Sequence, residues 1–136
     1  MRSHLLHFGM VLCLTGMGAT GAHAEERTRS IVATCRTEIS NYEEYTEYEI
    51  FSDGTRSDNA ASVRESYYPL HHGVEVREFR NALAIDNAAE SQLFNVFFQM
   101  DASRAHIAFN AKSGEGQLTV DTPDDYTTKL TCIYRR

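Results

Sequence analysis

Leu93-Phe94-Asn95-Val96-Phe97-Phe98-Gln99-Met100 is the most hydrophobic stretch between residue 25 and the C-terminus, and its period decides the fold. Phe94, Val96, Phe98 and Met100 fall on one face, while Asn95 and Gln99 share the other with Leu93 and Phe97. A repeat of two is the signature of a strand with one face buried, so this segment reads as a central core strand. Downstream, Ala105, Ile107 and Phe109 continue the pattern around His106 and Asn110. Ser113-Gly114-Glu115-Gly116 then turns the chain into Leu118-Thr119-Val120, and Thr122-Pro123-Asp124-Asp125 makes the last turn. The final strand, Tyr126 to Tyr134, sets Thr128, Leu130, Cys132 and Tyr134 against Thr127, Lys129, Thr131 and Ile133.

Upstream the same alternation recurs. In Ile31 to Thr37 the odd positions form the more apolar face, which points Cys35 inward. Thr46, Tyr48 and Ile50 alternate with Glu47 and Glu49, and Ser52-Asp53-Gly54 is a hairpin signal because an Asp-Gly pair suits positive φ. Ser62 to Leu70 and Val74 to Arg80 are further strands, with Val74 and Val76 alternating with Glu75 and Arg77 in the second. The alanine-rich segment Asn81 to Ser91 fits either a short helix or a loop. About eight short strands with turn signals roughly every ten residues predict an all-β domain, a small antiparallel β-barrel with a β-sandwich as the alternative.

The first 24 residues carry an address. Arg2 is a positive n-region, an apolar run follows from Leu5 to Met17, and Ala22-His23-Ala24 offers a small-x-small cleavage site, so residues 1–24 read as a cleaved secretory signal peptide and 25–136 as a single β domain. The apolar run is shorter than the roughly 20 residues that span a bilayer, and no later segment is long enough. The expected location is therefore secreted, in a periplasm or the extracellular space, with no membrane insertion after cleavage. Cleavage removes Cys13 and leaves Cys35 and Cys132, which in an oxidising compartment predicts one disulfide joining the first strand to the last. In the chain-entropy model a loop of that length contributes about 4–5 kcal/mol.

Charge and motifs narrow the function. Cleavage removes Arg2 and no carboxylate, taking the formal charge from −6 to −7. An acidic balance with no basic stripe lacks the phosphate-neutralising footprint of a nucleic-acid binder, and it is compatible with a cationic partner. His71 and His72 precede Gly73 in a turn and lack metal-ligand spacing; His106 lies opposite the inward face of its strand. The pair Gly114 and Gly116 has no phosphate-loop frame, and no nucleophile, base and orienter occur together, so neither a catalytic site nor a cofactor is expected.

The stretch that departs from an ordinary strand is Asn41 to Phe51. It concentrates three tyrosines and four glutamates, with no basic residue between Arg36 and Arg56. Tyrosine offers large contact area at low entropic cost, and carboxylates pair with Lys or Arg. Alternation places Glu43, Tyr45, Glu47 and Glu49 on one outer face. The leading expectation is a non-catalytic binding or inhibitory module that engages a protein partner through that face. The alternatives are a carrier holding a small apolar ligand against Phe94, Phe98 and Phe109, and an enzyme using His71 or His72.

Overall fold

The alternating strands close on themselves. The computed structural model describes residues 29–53, 59–123 and 125–135. Its strands are β1 (Ser30–Thr37), β2 (Tyr45–Ser52), β3 (Ala60–Tyr68), β4 (Glu75–Asn87), β5 (Leu93–Met100), β6 (Ser103–Asn110), β7 (Glu115–Asp121) and β8 (Tyr126–Tyr134). One helical turn, α1 (Ala88–Ser91), joins β4 to β5. Each strand pairs antiparallel with the next, and β8 returns to β1, so the architecture is a closed up-and-down barrel rather than a sandwich. Closure gives every strand two partners and leaves none as an edge that could recruit another chain. The signal-peptide segment, Gly54 of the expected hairpin turn and Asp124 of the last turn lie outside the described residues.

The seam between β1 and β8 carries the disulfide. Cys35 and Cys132 are directly opposed, with Cα atoms 4.0 Å apart, so the bond crosses the ladder that shuts the barrel. It spans 97 residues of sequence, and the cross-link therefore restricts nearly the whole unfolded chain. A disulfide is consistent with an oxidising compartment.

The interior is filled by side chains, as expected for eight strands. Phe94, Val96, Phe98 and Met100 all point inward and are buried, as their alternation predicts. They meet Ala105, Ile107 and Phe109 from β6, Leu118 and Val120 from β7, and Ile50 and Val63 from β2 and β3. Phe94 stacks on Phe109 at 5.0 Å between centroids, and Phe98 lies 5.3 Å from Phe79. Gly116, read in the sequence as part of a turn, is inside β7 opposite Phe109. A Cβ there would stand 2.6 Å from the Phe109 Cβ, so the close approach of the two strands requires glycine.

Three segments differ from the sequence reading. Val74 to Arg80 is only the start of β4, which runs on to Asn87, and α1 is confined to the last residues of the alanine-rich segment. Val76 in β4 faces out, 56% exposed, and Val74 just before the strand is exposed as well, while Arg77 and Phe79 take the inner side. Phe79 buries more apolar area than either valine, and Arg77 finds a carboxylate partner inside. A bulge then reverses the parity. Arg80 and Asn81 together oppose Ser62, Asn81 adopts φ 60°, and Ala82 turns inward, with Ala84 following it. A second bulge between Ile31 and Ala33 buries Val32 and leaves Ile31 exposed.

Candidate binding site at the barrel mouth

The outer face singled out by the sequence is assembled only in part. Tyr45, Glu47 and Glu49 do share the outer side of β2, but Glu43 sits in the turn before it, exposed and with φ 59°. The glutamates are not free. Arg36, on the neighbouring strand β1, donates to Glu47 Oε2 at 2.7 Å, and Arg64 on β3 lies 3.6 Å from Glu49. Glu78 accepts one hydrogen bond from Arg29 and two from Arg64, and the bonds to Arg29 and then Arg64 hold its carboxyl below its ordinary range. Arg29 and Arg64 stand 3.9 and 5.0 Å from the ring of Phe51 and keep that outward phenylalanine buried. Tyr45 stacks on Tyr68 at 4.7 Å, under the guanidinium of Arg36. Cross-strand pairing therefore neutralises the face that looked acidic in one dimension.

The end of the barrel bounded by Thr37, Tyr45, Tyr68, Met100 and Tyr126 is different. Here an open cleft of about 360 Å³ is lined by Thr37, Glu38, Glu44, Tyr48, Tyr67 and Tyr126 among others. The register explains the assembly. Thr46 opposes Tyr67 and Tyr48 opposes Glu65, and these positions all point into the barrel above the last apolar layer. The β1–β2 loop closes one side, since Ser40 Oγ accepts from the Tyr42 and Glu44 backbone N–H groups at 3.2 Å.

A polar network forms the floor. Tyr48, 5% exposed, stands opposite Glu65 across the β2–β3 ladder. Glu65 Oε1 accepts from Arg77 Nε at 2.8 Å and Nη2 at 2.7 Å, and Arg77 Nη1 donates to Asp101 at 3.0 Å. Burial, then the charge and the hydrogen bond of Glu65, push the Tyr48 phenol well above its ordinary value, and the hydrogen bond to Glu65 likewise raises Arg77. At the rim, interaction with Glu44 raises the Tyr67 phenol too. Both phenols are thus raised by the carboxylates beside them.

The remaining sequence candidates lie elsewhere. Phe94, Phe98 and Phe109 are ring-packed core residues. His71 and His72 are exposed in the turn between β3 and β4. His106 is on the outer side of β6, stacked on Phe97 at 4.2 Å and 2.9 Å from Asn95, and desolvation lowers its pKa. Among the described residues, no group of three or more His, Cys, Asp or Glu is placed to hold a metal ion. The sequence reading missed Tyr67, Tyr126, Glu44 and the pair Glu65 and Arg77 as one cluster. The signal available was Glu65 on the same face as Val63, a carboxylate at an inward position that demands a buried partner. Compared with known protein families, with curated proteins and with solved structures, the chain matches none.

Proposed function

We propose that this protein is a non-catalytic binding module that engages a protein partner at the mouth of its barrel. The observation that carries the reading is the contrast between the two tyrosine and glutamate clusters. On the outer face Glu47 and Glu49 are paired with arginines of adjacent strands, whereas the mouth gathers Tyr48, Tyr67, Tyr126 and Glu44 around an open concavity. A concave site lined by rigid aromatic rings with a few oriented polar groups is the usual form of a binding site. Tyr45 belongs to its rim; Glu43 stands nearby in the turn, and Glu47 and Glu49 serve the barrel wall.

The test is capture of envelope and medium proteins with the oxidised protein as bait, beside its Tyr126→Ala and Glu47→Lys variants. A saturable partner that is lost with Tyr126→Ala and retained with Glu47→Lys is the expected result. Loss with Glu47→Lys alone would move the site to the outer face of β2, and no saturable partner for the unaltered protein would end the protein-binding reading.

A further inference from the structure

We propose that the mouth cleft accepts an organic cation bearing N–H donors, an alkylammonium group, and this rests on the mouth being the binding site. The cleft is lined by Tyr48, Tyr67 and Tyr126, and its charged lining residues are Glu38 and Glu44. The lining therefore offers a ligand phenol rings, hydroxyl oxygens and carboxylates. Ring faces attract cations through the quadrupole, most strongly when the cation leaves water to reach them.

The cations already near the cleft do not fill that role. Arg77 is held by Glu65 and Asp101 in the floor network, and Arg36 is held by Glu47 on the outer wall. Lys129, 73% exposed, reaches Glu38 at 3.6 Å from outside. The Thr37 and Ser40 hydroxyl oxygens accept from backbone N–H groups at 2.9 and 3.2 Å. Among the described residues no lysine or arginine lines the cleft, whose walls combine carboxylates, aromatic rings and acceptor oxygens, and the inward Arg77 is already engaged by Glu65 and Asp101. The complement of such a wall is a compact, donor-rich positive charge on a slender apolar stem, as an ammonium on an alkyl chain provides. An anionic ligand would meet Glu44 and Glu38 on entry. The volume, about 360 Å³, suits one such group with part of its stem.

That chemistry has two sources, a lysine side chain of a partner or a free polyamine, and titrations separate them. The oxidised protein is titrated calorimetrically with spermidine, with an end-blocked Gly-Lys-Gly peptide, and with 1,8-octanediol as an uncharged probe. Because the chain has no tryptophan, tyrosine emission supplies a second readout that includes the mouth. Spermidine or the peptide should bind, and Glu44→Gln and Tyr126→Ala should each raise Kd roughly threefold to thirtyfold while Glu49→Gln leaves it unchanged. Preference for the peptide assigns a protein lysine, and preference for spermidine assigns a free polyamine. Equal binding of octanediol would overturn the cationic class while leaving the mouth as a site. Cation binding that ignores both mouth substitutions would overturn the proposal as non-specific surface attraction. If no probe binds but a partner is still lost with Tyr126→Ala, the cation inference fails and the binding module stands; if both are negative, both fail.

Discussion

The two ends of this barrel are built by the same alternation and finish it in opposite ways. Toward the end where β5 begins and β6 ends, the inward positions carry Phe94, Phe109 and Tyr134, whose rings lie 5.0 to 6.4 Å apart, and the Tyr134 hydroxyl donates to Asp86 at 2.7 Å. Toward the mouth the same faces carry Tyr48, Glu65, Arg77 and Tyr126, and a cleft remains above them. Rings fill the tapering space of one end and exclude water. At the other, side chains that must satisfy one another's hydrogen bonds stand in fixed positions and leave room between them. Apolar layers give the barrel its stability, and the polar layer gives it a shaped surface.

That contrast can be broken by substitution. Phe94→Ala removes the largest fully buried side chain at the aromatic end and should cost about 3–5 kcal/mol, read from denaturant unfolding. A loss under 1 kcal/mol would mean that this end is not the stabilising one. Replacing Cys35 and Cys132 together by serine opens the covalent seam between the ends and should cost about 2–4 kcal/mol, with the fold retained by circular dichroism.

Arg77→Met tests the polar layer. It leaves Glu65, 9% exposed, with only Tyr48, and because the arginine is itself nearly half exposed the expected cost is about 1–3 kcal/mol rather than that of a fully buried pair. Adding Glu65→Leu should recover part of that loss while abolishing partner capture, which would separate stability from site shape. If the double variant is no more stable than Arg77→Met alone, the network has no cost to relieve.

The smallest effect concerns pH. His106 has a folded pKa below its unfolded value of about 6.5 because its charged form is desolvated, so the unfolded state binds its proton first. Its contribution is full above that value and is lost as pH falls through the lower folded pKa. The stability of the unaltered protein should therefore fall more between neutral pH and pH of about 5 than that of His106→Gln, and equal slopes would contradict the assignment.

Much of this molecule is legible in one dimension. The parity of β5, β6 and β8, the inward Tyr48 and the cross-strand partners Cys35 and Cys132 all follow from a period of two together with cysteine arithmetic. β4 is legible only locally. Val74 and Val76 at its start alternate like a buried face, but the choice between Val76 and Arg77 depends on Phe79 and on Glu65, which stands on another strand. The bulge at Asn81 is equally silent, because it answers the geometry of the partner strand rather than any turn motif. The site followed the same division. Tyrosine and glutamate enrichment near Tyr45 marked the right end of the barrel, yet the pairing of Glu47 with Arg36 and of Glu49 with Arg64 depends on register.

By itself the sequence determined an all-β chain of short alternating strands, with one inward face per strand and two cysteines available to join its first and last strands. These are consequences of side-chain period and composition, which act within a few residues. Only the tertiary structure decided that the strands close into a barrel, that the outer glutamates are neutralised across the sheet, and that four strands bring Tyr48, Tyr67, Arg77 and Tyr126 to one mouth. Those outcomes depend on which strands are neighbours and in what register, and register is a property of pairs of strands rather than of any one of them.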